Sequence, residues 1–188
     1  MEPVLPKLVA DACRTLQSLA SQEDLFQKIA SEAVATLRMG GKILTCGNGG
    51  SAADAMHLAE ELVGRFKNHR RSLPAISLNA DGTLLTCIGN DFGFDEIFSR
   101  QIEGLANEND LLVCFSTSGN SPNIVRALEA AKAKRVKSVA LLGKGGGKAK
   151  GKADFELTIA NNDGGRVQEA HTLILHALLE VIERDLTA

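Results

Sequence analysis

Short apolar runs alternate along this chain with longer segments whose apolar residues recur at helical spacing, and this alternation limits the possible folds. Strands that alternate with helices are joined by right-handed crossovers, which place the strands parallel and the helices on both faces. We therefore predict an α/β fold with three layers: a doubly wound, mostly parallel sheet of about five strands flanked by helices. The predicted strands cover residues 42–46, 74–78, 111–115, 136–142 and 155–159. Helices are predicted over 52–65, 97–105, 123–134 and 166–185, and a turn over residues 89–93, which are rich in Gly and polar residues.

A helical segment precedes this pattern. Residues 4–37 carry two apolar stripes with a polar break at 21–24, which predicts a helix that stops and restarts. We expect this extension to pack on the domain or on another subunit. The 188 residues are enough for one domain, which we take as 1–188, with 1–38 as the helical extension and 39–188 as the α/β core.

Composition excludes several classes of partner. The net charge is −2, so electrostatic attraction to a nucleic-acid backbone is not favoured. Trp and Tyr are absent and only seven Phe occur, so stacking on nucleic-acid bases is not favoured either. No apolar run approaches the ~20 residues of a membrane span, and no secretory leader pattern is present. The four Cys are widely spaced, which is typical of reduced thiols. We expect a cytoplasmic protein with no nucleic-acid or membrane partner.

Two polar loops follow predicted strands. Residues 116–121 form a hydroxyl-rich turn before Pro122, with Ser121 placed to cap the next helix. Residues 47–51 form a glycine-rich loop that matches neither the dinucleotide fingerprint nor the P-loop. Because carboxyl ends of parallel strands meet at one edge of the sheet, both loops can line one pocket. Hydroxyls beside a helix N-terminus suit a phosphate, although an ordinary strand-to-helix turn has the same pattern.

Two of the histidines in predicted helices are candidates for a functional site. His57 and Glu61 share one helix face at a spacing that suits metal binding or proton transfer. The same spacing is found in ordinary surface pairs without a function. His176 lies among leucines, where a core histidine is the simpler interpretation. Gln168 precedes His176 by eight residues, about 12 Å along a continuous helix. The two could share a ligand only if their side chains converge or the helix begins after Gln168.

Four stretches in this order resemble the sugar isomerase (SIS) family and, within it, the phosphoheptose isomerases. They are residues 46–51, 54–62, 89–94 and 116–121, and residues 166–169 with His176 complete the pattern. The resemblance implies the SIS fold and an aldose–ketose isomerisation of sedoheptulose 7-phosphate to D-glycero-D-manno-heptose 7-phosphate, toward the heptose of lipopolysaccharide core or surface glycans. One departure is Gly165, where some members carry an Asp before the Arg-x-Gln-Glu segment; Asp163 lies two residues earlier.

The resemblance also implies roles for individual residues. Glu61 corresponds to the base that moves a proton between C1 and C2, and His176 to the acid that serves the sugar oxygens. The residues expected to bind the sugar phosphate are Asn48, Gly49, Gly50, Ser51, Arg65, Asn90, Asp91, Ser116, Thr117, Ser118, Ser121 and Gln168. Some members carry zinc on residues matching His57, Glu61, Gln168 and His176, so we expect one Zn²⁺ per subunit.

The same resemblance implies a homotetramer with active sites at subunit interfaces. Two alternatives to an enzyme remain at this stage: a non-catalytic SIS adaptor that binds the replication initiator protein, and a sugar-phosphate-sensing module. An adaptor has no need of a converging base and acid, so the presence of Glu61, His176 and Gln168 together favours the enzyme.

Overall fold

The computed structural model describes residues 3–187, and residues 1, 2 and 188 of the predicted domain lie outside this range. The helices within it are α1 (Val4–Ser18), α2 (Glu23–Arg38), α3 (Gly50–Val63), α4 (Gly82–Phe92), α5 (Ser99–Leu105), α6 (Pro122–Ala133) and α7 (Gly164–Thr187). The strands are β1 (Ile43–Gly47), β2 (Ala75–Ser77), β3 (Leu111–Ser116), β4 (Lys137–Leu142) and β5 (Phe155–Thr158).

The five strands form one parallel sheet in the order β2-β1-β3-β4-β5, which confirms the predicted fold class. The chain moves outward from β1 to β2 and then returns to β3 on the other side of β1. The direction of winding therefore reverses between β1 and β3, where Cys46 is in register with Cys114. Ligands of open α/β sheets bind beyond the carboxyl ends of the strands at such a switch point.

Both faces of the sheet are buried. Ile43 and Leu111 point to one face, where they pack with apolar residues of α2, α3 and α7. Leu44 and Leu112 point to the other face, which α4, α5 and α6 cover. The strands therefore consist of continuous apolar runs, as expected for a parallel sheet covered by helices on both sides.

The N-terminal segment forms two helices, and a 3₁₀ turn at Leu19–Gln22 interrupts them at the predicted break. α2 buries Ile29, Ala33 and Leu37 against the first core. α1 instead leaves Val4 and Leu5 exposed, at 66% and 70% of their surface. The described part of α1 therefore presents apolar side chains that the single chain does not cover.

One local prediction is wrong. Residues 89–93 carry Gly, Asn and Asp and indicate a turn, but α4 continues through them to Phe92. Asp81 caps the N-terminus of α4 by accepting from the Leu84 N–H, and Ile88 is buried in the second core. Packing of one helix face has overridden local preference, and Gly93 at φ +93° ends the helix. Within residues 3–187, no helix combines the length and the apolar character needed to cross a membrane.

Candidate active site

The loops after β1 and β3 enclose a small cavity at the switch point. Its volume is about 40 Å³, and Phe115 forms part of its wall. The polar residues that line it are Asn48, Ser51, Ser116, Thr117, Ser118 and Ser121. This agrees with the expectation that both loops line one pocket. The lining carries hydroxyl and amide groups and no charged side chain, and Ser51 and Ser121 lie at the N-terminal ends of α3 and α6. Two helix N-termini with hydroxyl donors favour an anion.

Hydrogen bonds within the second loop shape this cavity. Ser116 Oγ accepts from the Gly119 N–H at 3.0 Å, and Ser118 Oγ accepts from the Asn120 N–H at 3.1 Å. Ser121 occupies the N-cap position of α6, but its side chain makes no capping hydrogen bond, contrary to the predicted capping role. Its hydroxyl lies on the cavity wall instead. The loop therefore presents this hydroxyl toward a ligand.

Two asparagines outside the predicted set, Asn79 and Asn123, hold the first loop in place. The Asn48 and Asn123 amides donate to one another, each at 2.9 Å, and so tie the first loop to α6. Asn79, after β2, accepts from the Gly47 N–H at 3.1 Å and donates to the Gly47 carbonyl at 2.9 Å. The position of Asn123 directly after the hydroxyl-rich turn is a signal for its role, whereas nothing in the sequence indicates the role of Asn79.

A third loop supports the second one from behind. The Ala149 N–H donates to the Gly119 carbonyl at 2.8 Å, and the Lys148 N–H donates to Asn120 Oδ1 at 3.1 Å. Gly119 has φ +62°, and a Cβ there would lie 1.9 Å from the Gly146 carbonyl oxygen. Only glycine allows this close approach.

A second group of polar side chains lies further along α3. His57 Nε2 is 3.4 Å from Glu61 Oε1, and the His57 and His176 rings are 5.1 Å apart at 83°. Phe66 stacks on His176, with ring centroids 5.5 Å apart and an interplanar angle of 19°. The fold thus places the predicted base and the predicted acid next to the same residue, His57, although they are far apart in sequence.

These contacts follow from the way in which α3 and α7 pack side by side in the same direction. Three pairs of residues share a level along the two helices: Gly50 with Gln168, Asp54 with Thr172, and His57 with His176. A Cβ on Gly50 would lie 2.2 Å from Gln168 Nε2, so the Gln168 amide packs directly on the glycine-rich loop.

Gln168 therefore lies against the glycine-rich loop and not with the histidines of its own chain. α7 begins at Gly164 and includes both Gln168 and His176, which excludes a helix that starts after Gln168. Eight residues of continuous helix separate the two by about 12 Å along the axis. Within one chain, the predicted four-residue zinc set is divided between two places.

Two donors of that set, His57 and Glu61, remain together. Ligand atoms of His57, Glu60 and Glu61 lie within 4.8 Å of one another, and the His176 ring adjoins His57. Imidazole nitrogens and carboxylate oxygens are the ligand types that Zn²⁺ uses in catalytic sites with an open position. His57 and Glu61 therefore offer the ligand chemistry of the ion, with the His176 ring next to His57.

The other predicted binding residues lie outside both groups. Arg65 is exposed on the loop after α3, next to Phe66. Asn90 and Asp91 are exposed on the last turn of α4, where the Asn90 amide donates to Asp91 Oδ1 at 2.8 Å. None of the three lines the cavity between the loops.

Asp54 lies between the cavity and the histidine group. Thr172 Oγ1 donates to Asp54 Oδ1 at 3.0 Å, while Oδ2 has no hydrogen-bond partner among residues 3–187. Burial raises the pKa of the Asp54 carboxyl, and the Thr172 hydrogen bond only partly opposes this.

Asp163 serves as a helix cap. Its Oδ1 accepts from the Gly165 N–H at 2.7 Å and from the Arg166 N–H at 3.3 Å. The bond from Arg166, followed by that from Gly165, lowers the pKa of the carboxyl. The Asp163 carboxylate thus stabilises the start of α7.

Comparison with known proteins adds to this geometry. A family model described as SIS domain matches residues 9–143. The chain is 49% identical over 175 residues to a phosphoheptose isomerase of Geobacter sp., and the match covers 93% of this chain and 91% of that relative. The structure of a phosphoheptose isomerase from Neisseria gonorrhoeae superposes with a TM-score of 0.89 at 37% identity, covering 96% of this chain and 97% of that one. A phosphoheptose isomerase from Francisella tularensis gives a TM-score of 0.88 at 34% identity, covering 97% of this chain and 99% of that one.

Proposed function

The chain belongs to the phosphoheptose isomerases of the SIS domain family, and we propose that it converts sedoheptulose 7-phosphate into D-glycero-D-manno-heptose 7-phosphate. The observation that carries the proposal is the group of Glu61, His57 and His176 on α3 and α7, because the N-terminal end of α3 also borders the hydroxyl-lined cavity. The product is a precursor of the heptose in lipopolysaccharide core or surface glycans. The adaptor and sensing-module alternatives gain no support from the three isomerases compared above.

Binding and chemistry are assigned to different residues. The phosphate binds in the cavity, where Ser116, Thr117, Ser118 and Ser121 donate to its oxygens. Since the phosphate is remote from the reacting carbons, its binding energy orients the open-chain sugar. Asn48 lines the cavity and Gln168 packs on the glycine-rich loop, and both contact the sugar hydroxyls nearest to the phosphate.

The isomerisation is a proton transfer in two steps. Glu61 removes a proton from C1 of the ketose, and the electron pair of that C–H bond forms the double bond of a cis-enediol as the C2 oxygen gains a proton from His176. Glu61 then returns its proton to C2 while His176 takes back a proton from the C1 oxygen, which leaves the aldose. Positioned acids and bases of this kind contribute roughly 10²–10⁴-fold to rate.

We also propose that the protein binds Zn²⁺. His57, Glu61 and His176 would hold the ion, and when bound it would polarise the sugar oxygens as a Lewis acid. Elemental analysis of protein purified without added metal tests this proposal, and full activity in a metal-free preparation would contradict a catalytic ion.

Two observations support a homotetramer with active sites between subunits. α1 exposes apolar residues that a neighbouring copy could cover, and Gln168 lies apart from the histidine group of its own chain. If one copy's cavity faces another copy's Glu61, mixed oligomers of Glu61→Gln and Ser116→Ala should, after joint refolding, convert substrate at low concentration faster than either variant alone. Activity that stays at the level of the separate variants would contradict an intersubunit site. The described cysteines are all free, which supports a reducing, cytoplasmic location.

The decisive experiment compares Glu61→Gln with Glu60→Gln. Incubation with sedoheptulose 7-phosphate should yield the aldose with the parent protein. We expect Glu61→Gln to lower kcat by roughly 10³-fold or more while substrate still binds, because the amide cannot accept the C1 proton. Glu60 is the exposed neighbour on the same turn, so Glu60→Gln should retain most activity. Near-parent kcat in Glu61→Gln would refute the base assignment, and no product with the parent would refute the function.

A further inference from the structure

A buried carboxylate on α7 holds the loop that follows α3. The Glu183 side chain is 2% exposed and accepts hydrogen bonds from three successive backbone N–H groups, those of Phe66, Lys67 and Asn68, at 3.0–3.1 Å. Three main-chain donors on one carboxylate fix the path of residues 66–68 relative to α7. The loop therefore has little freedom to move independently of that helix.

Arg70 completes this arrangement from the other side. Its Nε donates to Glu183 at 3.0 Å, and the Arg70 side chain is also 2% exposed. The guanidinium then donates to the carbonyl of Leu62 at 2.9 Å and to that of Glu61 at 2.6 Å. These carbonyls lie in the last turn of α3, which lacks intrahelical donors. One side chain thus links the end of α3 to α7.

Burying two charges is costly unless both are fully hydrogen-bonded. Burial would raise the pKa of the Glu183 carboxyl, but the N–H groups of residues 66–68 together with Arg70 outweigh it and hold the pKa below its ordinary value. The pair is therefore satisfied as it stands. A well-packed apolar pair would give comparable stability, so the location of these charges needs another reason.

The Arg70–Glu183 pair is connected to both the proposed base and the proposed acid. Arg70 bonds to the backbone of Glu61, the proposed base. Phe66, held through its N–H by Glu183, stacks on the ring of His176, the proposed acid. Glu183 itself lies seven residues after His176 on α7, about two helical turns away. A shift of this loop would change the position of the base and the orientation of the acid together.

We propose that Arg70 and Glu183 are positioning residues of the isomerase, which set the separation of Glu61 and His176 through the backbone of α3 and the ring of Phe66. Neither side chain touches the substrate. The proposal rests on the proposed function for its kinetic consequence, whereas its geometric consequence for the His176 ring does not depend on that function.

The test uses Glu183→Gln in the full-length protein, with Glu180→Gln as matched control. Glu180 lies one turn earlier on α7 and pairs with Lys67 of the same loop, but at the exposed surface. Glutamine keeps the shape of Glu183 and turns an N–H₂ group toward backbone donors. We expect kcat to fall roughly 10- to 100-fold, as for small displacements of catalytic groups, while KM changes by less than about threefold because the phosphate cavity is distant. Glu180→Gln should match the parent.

A spectroscopic readout separates positioning from general stability. The chain has four histidines, so ring-labelled protein gives four sets of ring signals that single His variants can assign. The His176 signals should carry a ring-current shift from Phe66, and this shift should shrink in Glu183→Gln but not in Glu180→Gln. If kcat and the His176 signals stay at parent values while only the unfolding midpoint falls, the pair is merely structural and the proposal is wrong.

Phe66→Leu provides a second variant that leaves the buried charges intact. It should lose the His176 ring-current shift and lower kcat by about tenfold with KM retained. If Glu183→Gln does not fold, unchanged kcat in Phe66→Leu overturns the proposal by itself. If the parent protein lacks isomerase activity, the proposed function fails, and the His176 signals still decide whether Glu183 positions that ring.

Discussion

Acid should destabilise this protein through one buried histidine. His171 lies in the middle of α7 with no exposed surface, and its ring contacts Phe115 edge-on at 5.9 Å. Among the described residues, neither ring nitrogen has a hydrogen-bond partner. Burial lowers the pKa of His171 from 6.5 to about 4, and the nearby Leu142 carbonyl opposes this only in part. The ring is therefore neutral in the folded protein at pH 7.

The direction of the effect follows from proton linkage. Between pH 6.5 and about 4 the unfolded chain binds a proton at this position and the folded chain does not, so stability is complete above that window and is lost as pH falls through it. The difference in pKa corresponds to about 3 kcal/mol, since each pH unit is worth about 1.4 kcal/mol. That is a large part of the ~5–15 kcal/mol that stabilises a typical domain.

The assay is urea unfolding of the parent and of His171→Leu at pH 7.5 and pH 4.5, at one fixed protein concentration. The carboxylates of the protein also titrate at acid pH, but their contribution to stability cancels in the comparison of the two proteins. Relative to the parent, the variant should gain about 2.5 kcal/mol between the two pH values. His69→Leu, at an exposed position, should gain less than about 0.5 kcal/mol. A gain equally small in His171→Leu would refute the reasoning.

Three further predictions follow from the site. Ser118→Ala should raise KM more than it lowers kcat, because the hydroxyl lines the phosphate cavity away from the reacting carbons; steady-state kinetics checks this, and an unchanged KM would count against the cavity. Gly119→Ala should lower the free energy of unfolding by about 3 kcal/mol, since its Cβ would lie 1.9 Å from the Gly146 oxygen at φ +62°. Gly93→Ala, at φ +93° with open space around its Cβ, is the control and should lose less in the same denaturation assay. Asp54→Asn should raise the urea midpoint of unfolding at pH 7.5, because burial raises the pKa of Asp54 and disfavours its charged form. At pH 3, where the folded carboxyl is protonated, this gain should vanish. An equal gain at both pH values would contradict a charge effect.

The strands and both polar loops could be predicted from the sequence because their signals are local. Leu111 to Phe115 is apolar without interruption, and a hydroxyl-rich turn follows at once, so a strand end and a loop are visible in the same ten residues. The wrong prediction at residues 89–93 has the opposite origin. Gly, Asn and Asp disfavour helix locally, but burial of Ile88 in the second core decides the conformation of the whole segment.

Contacts between distant segments could not be predicted in this way. His57 and His176 meet because α3 and α7 pack side by side, and the apolar pattern around His176 is equally that of a core histidine. The hydrogen bonds of Glu183 to residues 66–68 are likewise invisible, since a Glu near the end of a long helix is usually solvated. Only the resemblance to a known family indicated His176 beforehand, and it could not indicate Glu183.

The packing of α3 against α7 also explains why binding and chemistry can be separated by mutation. The cavity proposed to bind the phosphate lies at the N-termini of α3 and α6, where the field of a helix is strongest, and this field decays within one turn. Glu61 lies ten residues beyond Ser51, about 15 Å along α3, so the helix field that stabilises the anion does not reach the base. Under the proposed function, Ser118 contributes to affinity and Glu61 to turnover, so substitutions at the two positions should change KM and kcat separately.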